Sequence, residues 1–209
     1  MARYFDVHPA NPQPRAIAQV AQIVRDGGLV AYPTDSGYAL GCSMGNRDGL
    51  ERIRRIRDLD AKHNFTLVCS DFAQFGQYVQ MDNDVFRAVK AATPGAYTFI
   101  LKATREAPKV MLSPKKKTVG VRIPHNATAL ALLAELGQPM MSSTLLLGDA
   151  TEPMTDGWTV KEELDLLVDA VLDSGDCGMD PTTVVDLSDG EPIVLRVGAG
   201  DATPFEPQE

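Results

Sequence analysis

The sequence predicts an α/β domain with a mixed, twisted sheet, and three observations carry that class. Short apolar, strand-like runs intermix with amphipathic helical runs without a strict β-α-β alternation. The 209 residues are long enough for one substantial core and short enough for a single domain, 1–209. Apolar residues make up 44% of the chain and charged residues 23%, which is the balance of a globular protein rather than a disordered one.

The elements follow in order. Asn11-Pro12 opens a helix expected to reach about Asp26, with Ile17, Val20 and Val24 on one face and Gly27-Gly28 as its stop. Gly28–Cys42, "GLVAYPTDSGYALGC", reads as a strand Leu29–Tyr32, a turn around Thr34 and a strand Tyr38–Cys42. Asp48 is expected to cap a short helix with Leu50, Ile53 and Ile56 inward and Arg52, Arg54 and Arg55 outward, Arg57 lying at its end. "NFTLVCSD" supplies a strand Phe65–Cys69, and helices are expected at Phe72–Tyr78 and Val85–Ala91. Strands follow at Tyr97–Leu101 and in "VGVRIP", after the basic loop "SPKKKT". A helix over Thr128–Leu136 precedes the strand "MMSST" that starts at Met140. The segment 148–156 reads as a loop, and "PTTVVDLSD" and "PIVLRVG" read as closing strands around a turn at Asp189-Gly190.

Several function classes are disfavoured by composition. No apolar run approaches the roughly 20 residues of a membrane helix, and the N-terminus lacks the apolar middle of a signal peptide. Cys42, Cys69 and Cys177 form no C-x-x-C pair, and His8, His63 and His125 are dispersed, so neither a disulfide framework nor a metal site is expected. A reducing cytoplasm is the expected compartment.

Charge is less simple. A formal net charge of −8 argues against a nucleic-acid partner. Yet residues 149–209 hold 16 of the 28 acidic residues, with only Lys161 and Arg196 as bases, while residues 1–148 carry 18 bases against 12 acids. That asymmetry points an anionic ligand toward the N-terminal part.

The strand ends carry hydroxyl or guanidinium groups: Thr34, Thr118, Arg122, Ser142, Ser143, Thr144, Thr182 and Arg196. Ligands of open α/β sheets bind where strand ends converge, so these residues are candidates for an anion site. Thr34 is open to two readings, a plain Pro-Asp-Gly turn or a ligand-facing hydroxyl. No G-x-x-x-x-G-K-[ST] cradle is present, and no Ser-His-Asp or Cys-His order can be read from the sequence. Five arginines in 47–57 and the run Lys115-Lys116-Lys117 read as solvated surface unless they flank one groove.

Six motifs in order, "LVAYPTDSGYALGC", "TPGAYTFILKAT", "VGVRIPHN", "PMMSST", "PTTVVDLSD" and "IVLRVGAGD", resemble the YrdC-type domain of the threonylcarbamoyl-AMP synthase family, from about Gln13 to Asp201. "HPANPQ" and "HNFTL" resemble its YciO branch in particular. The resemblance implies a twisted open mixed sheet flanked by helices, with a basic concave surface. It also implies binding of nucleotide and, for several members, of double-stranded RNA or tRNA. Synthase members join threonine, bicarbonate and ATP, with magnesium, into threonylcarbamoyl-AMP for tRNA modification.

Carried over residue by residue, the resemblance makes Arg57 and Thr144 the catalytic candidates, and Thr34, Thr118, Arg122, Ser142, Ser143, Thr182 and Arg196 become nucleotide or threonine contacts. The clustering of positive charge, beside that resemblance, makes Arg52, Arg54, Arg55, Lys115, Lys116 and Lys117 the expected RNA contacts. The sequence departs from the synthases at two positions: Leu59 replaces an arginine and Leu146 an asparagine, with Lys62 a cation close by. A missing charged contact to a developing oxyanion typically costs about 10²–10³ in rate, so weak or altered activity is expected. The alternatives are an RNA-binding module without catalysis and a hydrolase of an acyl-adenylate.

Overall fold

The computed structural model describes residues 1–60, 63–148 and 150–206, so Lys62 lies outside the described residues. In chain order its strands are β1 (Arg3–Asp6), β2 (Val30–Thr34), β3 (Gly37–Ser43), β4 (Thr66–Val68), β5 (Tyr97–Lys102), β6 (Thr118–Arg122), β7 (Met140–Thr144), β8 (Ala170–Asp173), β9 (Thr183–Asp186) and β10 (Ile193–Arg196). The α-helices are α1 (Pro14–Arg25), α2 (Arg47–Arg57), α3 (Phe72–Tyr78), α4 (Asn83–Ala91), α5 (Ala127–Leu136) and α6 (Gly157–Leu164). All ten strands join one sheet, ordered β1-β8-β2-β3-β7-β4-β6-β5-β9-β10. It is mixed: β1–β8, β2–β8, β4–β6 and β5–β9 are parallel, and the other neighbours antiparallel.

Strand alternation divides the residues between two faces. Val119, Val121, Phe99, Leu101, Leu67, Met141 and Val185 enter one buried cluster, together with Leu50 and Ile53 of α2, Phe75 of α3, Val89 of α4 and Val160 of α6. The opposite face is covered at one end by α1 and α5, whose Ile17, Val20, Val24, Leu132 and Leu133 pack on Val30, Tyr32, Met140 and Leu172. The residues that share this second face further along the sheet are Thr66, Thr98, Thr118, Gly120 and Arg122. That stretch of face is open.

The tip of the first hairpin is held by its own side chains. Strand β2 runs through Pro33 to Thr34, two residues further than expected, and Thr34 pairs directly with Gly37. Gly37 has φ +88°, and a Cβ there would come within 2.4 Å of Pro153, so only glycine serves. Asn46, rather than the expected Asp48, caps α2: its side chain accepts from the Gly49 N–H at 2.9 Å, and its amide donates to the Gly27 carbonyl at 2.9 Å. Asp48 falls inside the first turn of that helix.

Strands β1 and β8 and helix α6 are additions to the sequence reading. Asp156 caps α6, and β8 is fully buried between β1 and β2.

Candidate functional site

A cavity of about 440 Å³ opens on the uncovered face. It takes Thr34 from β2, Thr66 from β4, Gly120 from β6 and Thr98 from β5. All nine catalytic and ligand candidates line it: Arg57, Thr34, Thr118, Arg122, Ser142, Ser143, Thr144, Thr182 and Arg196. Convergence follows from the sheet order. β7, β4, β6 and β5 are consecutive neighbours, so period-2 positions far apart in the chain become adjacent on one face.

Three guanidinium groups supply the charge. Arg122 is buried; its Nη1 donates to Ser36 Oγ at 2.9 Å, and its Nη2 pairs with Asp35 in the hairpin turn. Asp35 in turn accepts from the His125 N–H at 3.1 Å. The Arg122 Nε is buried without a hydrogen-bond partner among the described residues. At the rim, Arg196 donates from Nε to the Thr182 carbonyl and from Nη2 to Thr182 Oγ1, both at 3.0 Å. Partial desolvation, followed by repulsion from Arg122, lowers the Arg196 pKa.

Arg57 reaches in from the C-terminal end of α2. Its Nη1 donates to Ser143 Oγ at 2.6 Å and its Nε to the Leu146 carbonyl at 3.5 Å, and burial holds its pKa below the ordinary value. Asp186 is the one carboxylate among the described lining residues, and it lies 3.8 Å from Lys116 Nζ. Among the described residues the lining is therefore net positive.

The hydroxyls differ in availability. Thr34 Oγ1 donates to the Gly37 carbonyl at 2.7 Å and accepts from the Ser36 N–H at 3.0 Å, so both functions of the hydroxyl serve the turn. Ser142 Oγ donates to the Leu40 carbonyl at 2.9 Å and lies 2.8 Å from the Tyr32 hydroxyl, whose pKa burial pushes up to about 12. Thr182 Oγ1 sits 3.0 Å from Thr98 Oγ1. Thr118 and Thr144 line the cavity with no side-chain hydrogen bond among the described residues.

Sequence reasoning missed His63, Asn64, Tyr32 and Asp186 as lining residues. His63 Nε2 lies 3.3 Å from Ser143 Oγ. Burial first, then Arg57, lowers its pKa, with Arg54 adding and Asp60 opposing. An isolated histidine between strands carried no signal, because only the folded loop brings it to β7. Leu146 lines the cavity as the departure from the synthase pattern suggested, whereas Leu59 packs against the core.

The basic segments divide. Arg52 is engaged with Asp169 at 2.7 Å and the Leu167 carbonyl, and Arg54 with Glu51 at 2.7 Å and the Phe65 ring. Arg55, Lys115 and Lys117 are exposed, and Lys116 pairs with Asp189 at 2.8 Å. None of these six lines the cavity.

Comparison with known proteins places this geometry in a lineage. The family model Sua5/YciO/YrdC, described as "Telomere recombination", matches residues 22–198. YciO of Escherichia coli (strain K12) is 48% identical over 205 residues, 98% of this chain and 100% of that protein. Its crystal structure superposes with a TM-score of 0.94, covering 99% of this chain and 100% of that one. The threonylcarbamoyl-AMP synthase of Bacillus subtilis (strain 168) is 28% identical over 184 residues, 87% of this chain and 53% of the synthase. Sua5 of P. abyssi, crystallised with L-threonine, shares the fold at a TM-score of 0.84 and 24% identity, over 93% of this chain and 57% of that one. The chain thus belongs to the Sua5/YciO/YrdC family.

Proposed function

We propose that the cavity binds an adenylate, ATP or AMP, with its phosphate among Arg57, Arg122 and Arg196, and that the protein is a divergent relative of the L-threonylcarbamoyladenylate synthases with weak or altered activity. The observation that carries this reading is the convergence, among the described residues, of three guanidinium groups on one hydroxyl-lined cavity with a single lining carboxylate. Charge-assisted hydrogen bonds from arginine are about twice as strong as neutral ones and suit the oxygens of a phosphate.

In synthase chemistry a carbamate oxygen attacks the α-phosphate while negative charge grows there and on pyrophosphate. Positioned cations do most of that work. Arg57 can supply one such charge, and Leu146 supplies none where the synthases carry an amide. A threonine-like amino acid is the expected co-substrate, by analogy with the threonine held by the P. abyssi relative. Among the described residues no cluster of three or more His, Cys, Asp or Glu could hold a metal, so magnesium would enter as the ATP complex, as substrate. A cytoplasmic setting, where ATP and free thiols such as Cys42 coexist, fits this chemistry.

Gly120 supplies the test. A Cβ there would meet Thr98 at 3.5 Å and Thr66 at 3.6 Å, which is ordinary contact, while a larger side chain would occupy the cavity floor. Gly120→Val should keep the fold and weaken AMP binding at least about tenfold by calorimetry, equivalent to 1.4 kcal/mol. Wild-type protein that binds neither AMP nor ATP overturns the reading. A pyrophosphate-release assay with ATP, threonine, bicarbonate and magnesium then separates a slow synthase from a protein acting on another adenylate.

One observation favours RNA as a further ligand. Helix α2 ends at Arg57, and the lysine loop runs between Ser113 and Thr118, so both basic segments terminate at the same cavity. Among the described residues Arg55, Lys115 and Lys117 are exposed cations available to a duplex backbone there, and tRNA or another double-stranded RNA is the expected partner.

A further inference from the structure

The strand β7 carries a second piece of chemistry. β4 is three residues long and begins opposite Ser142, so β7 runs past its start at Ser143 and Thr144. The chain leading into β4 occupies that space and brings His63 to Ser143, with Nε2 to Oγ at 3.3 Å. From α2, Arg57 Nη1 donates to the same oxygen at 2.6 Å. All three side chains line the cavity, although Ser143 itself is only 8% exposed.

We propose that Ser143 and His63 are a nucleophile–base pair, with Arg57 stabilising negative charge that develops on Ser143 Oγ, and that the cavity hydrolyses acyl-adenylates, mixed anhydrides of AMP and a carboxylic acid. This inference rests on the adenylate reading above. Several features agree with it. The Arg57 guanidinium occupies one lone pair of Oγ and stabilises developing negative charge on it. The hydroxyl proton is then free to point at His63. Burial and the neighbouring Arg57 and Arg54 lower the His63 pKa against the opposing Asp60, so the imidazole is neutral near pH 7 and able to accept a proton. Leu146, whose carbonyl also receives Arg57, gives the acyl side an apolar wall.

The step balances without a co-reactant other than water. Ser143 Oγ attacks the acyl carbon, and its proton passes to His63 Nε2. The bond between the acyl carbon and the bridging phosphate oxygen breaks, and AMP departs with that electron pair, taking the proton from His63. Water then attacks the acyl-serine, with His63 accepting its proton and returning it to Oγ. The products are a carboxylic acid and AMP.

The test uses the whole chain and acetyl-adenylate, with AMP release followed against a buffer blank and the peptide carrying Ser143 analysed by mass spectrometry. Wild-type protein should release AMP well above the blank and trap an acetyl group on Ser143. Ser143→Ala should remove the acetylated peptide. His63→Gln, on a loop where folding is least at risk, should slow release by about 10²-fold or more, the usual worth of a general base. The wild-type rate should rise with pH through a midpoint below the ordinary histidine value, and that midpoint should vanish in His63→Gln. A residue that merely held Arg57 in place would leave the profile unmoved. Protein that binds AMP yet leaves acetyl-adenylate at the blank rate overturns the pair while the adenylate reading stands. Hydrolysis that persists in both variants also overturns it. Failure to bind AMP sinks the adenylate reading instead.

Discussion

Arg122 carries two duties that pull in different directions. Its Nη atoms are committed to Ser36 and Asp35, which are themselves nearly closed to solvent, while its Nε has no partner among the described residues. An ion pair this buried contributes little net stability when intact, because desolvation offsets attraction, but removing one member strands the other. Arg122→Ala should therefore destabilise the fold by about 3–5 kcal/mol, measured by urea denaturation. The double variant Arg122→Ala with Asp35→Asn should recover much of that loss without recovering AMP binding. If the single variant keeps wild-type stability, the Asp35 pair is not the clamp on the hairpin. Arg122 was legible in the sequence as a cation at a strand end. Asp35 was not legible as its partner, because the two lie 87 positions apart and meet only across the assembled sheet.

Helix α2 shows where element-level reading succeeds and where it stops. Its apolar spacing placed Leu50 and Ile53 inward, and both are buried. The cap was misassigned, because Asn46 and Asp48 are both good capping residues and the sequence offers no way to rank them. Geometry ranks them: Asn46 both accepts from Gly49 and donates to Gly27, tying the helix start to the end of α1's exit turn. Asn46→Ala should cost about 1–2 kcal/mol in thermal or urea unfolding, whereas Asp48→Ala should cost only a few tenths through the helix dipole. Equal losses in the two would contradict the assigned cap. The same limit explains the elements left unread. β8 is a buried four-residue run inside an acidic stretch, and β1 is a partly exposed strand at the sheet's end. Each is too short for periodicity to register, and each exists because β8 has β1 and β2 to pair with.

Over the whole molecule, the acidic segment does not form a separate region. β8 inserts near one end of the sheet and β9–β10 close the other, so residues 150–206 are divided between the two ends of the sheet, and of their carboxylates only Asp186 lines the cavity among the described residues. Lys116 pairs with Asp189 and Asp186, which takes one of the three lysines of the basic loop out of play and leaves Lys115 and Lys117 exposed. A small anion entering the cavity meets three arginines at short range, while a long polyanion also meets the field of a chain with net charge −8. Screening acts over a Debye length of about 8 Å at physiological salt, so it weakens the distant terms more than the enclosed contacts. AMP affinity should therefore change little when salt rises from about 0.05 to 0.5 M. Affinity for a short RNA duplex should fall steeply over the same range, with a slope set by the few exposed cations that reach its phosphates. Both are read by titration at fixed pH. Duplex binding that is tight and insensitive to salt would mean that contacts other than Arg55, Lys115 and Lys117 hold it. A steep salt loss for AMP would place its phosphate in the open solvent at the rim, beside Arg196, and away from the buried donors of Arg122.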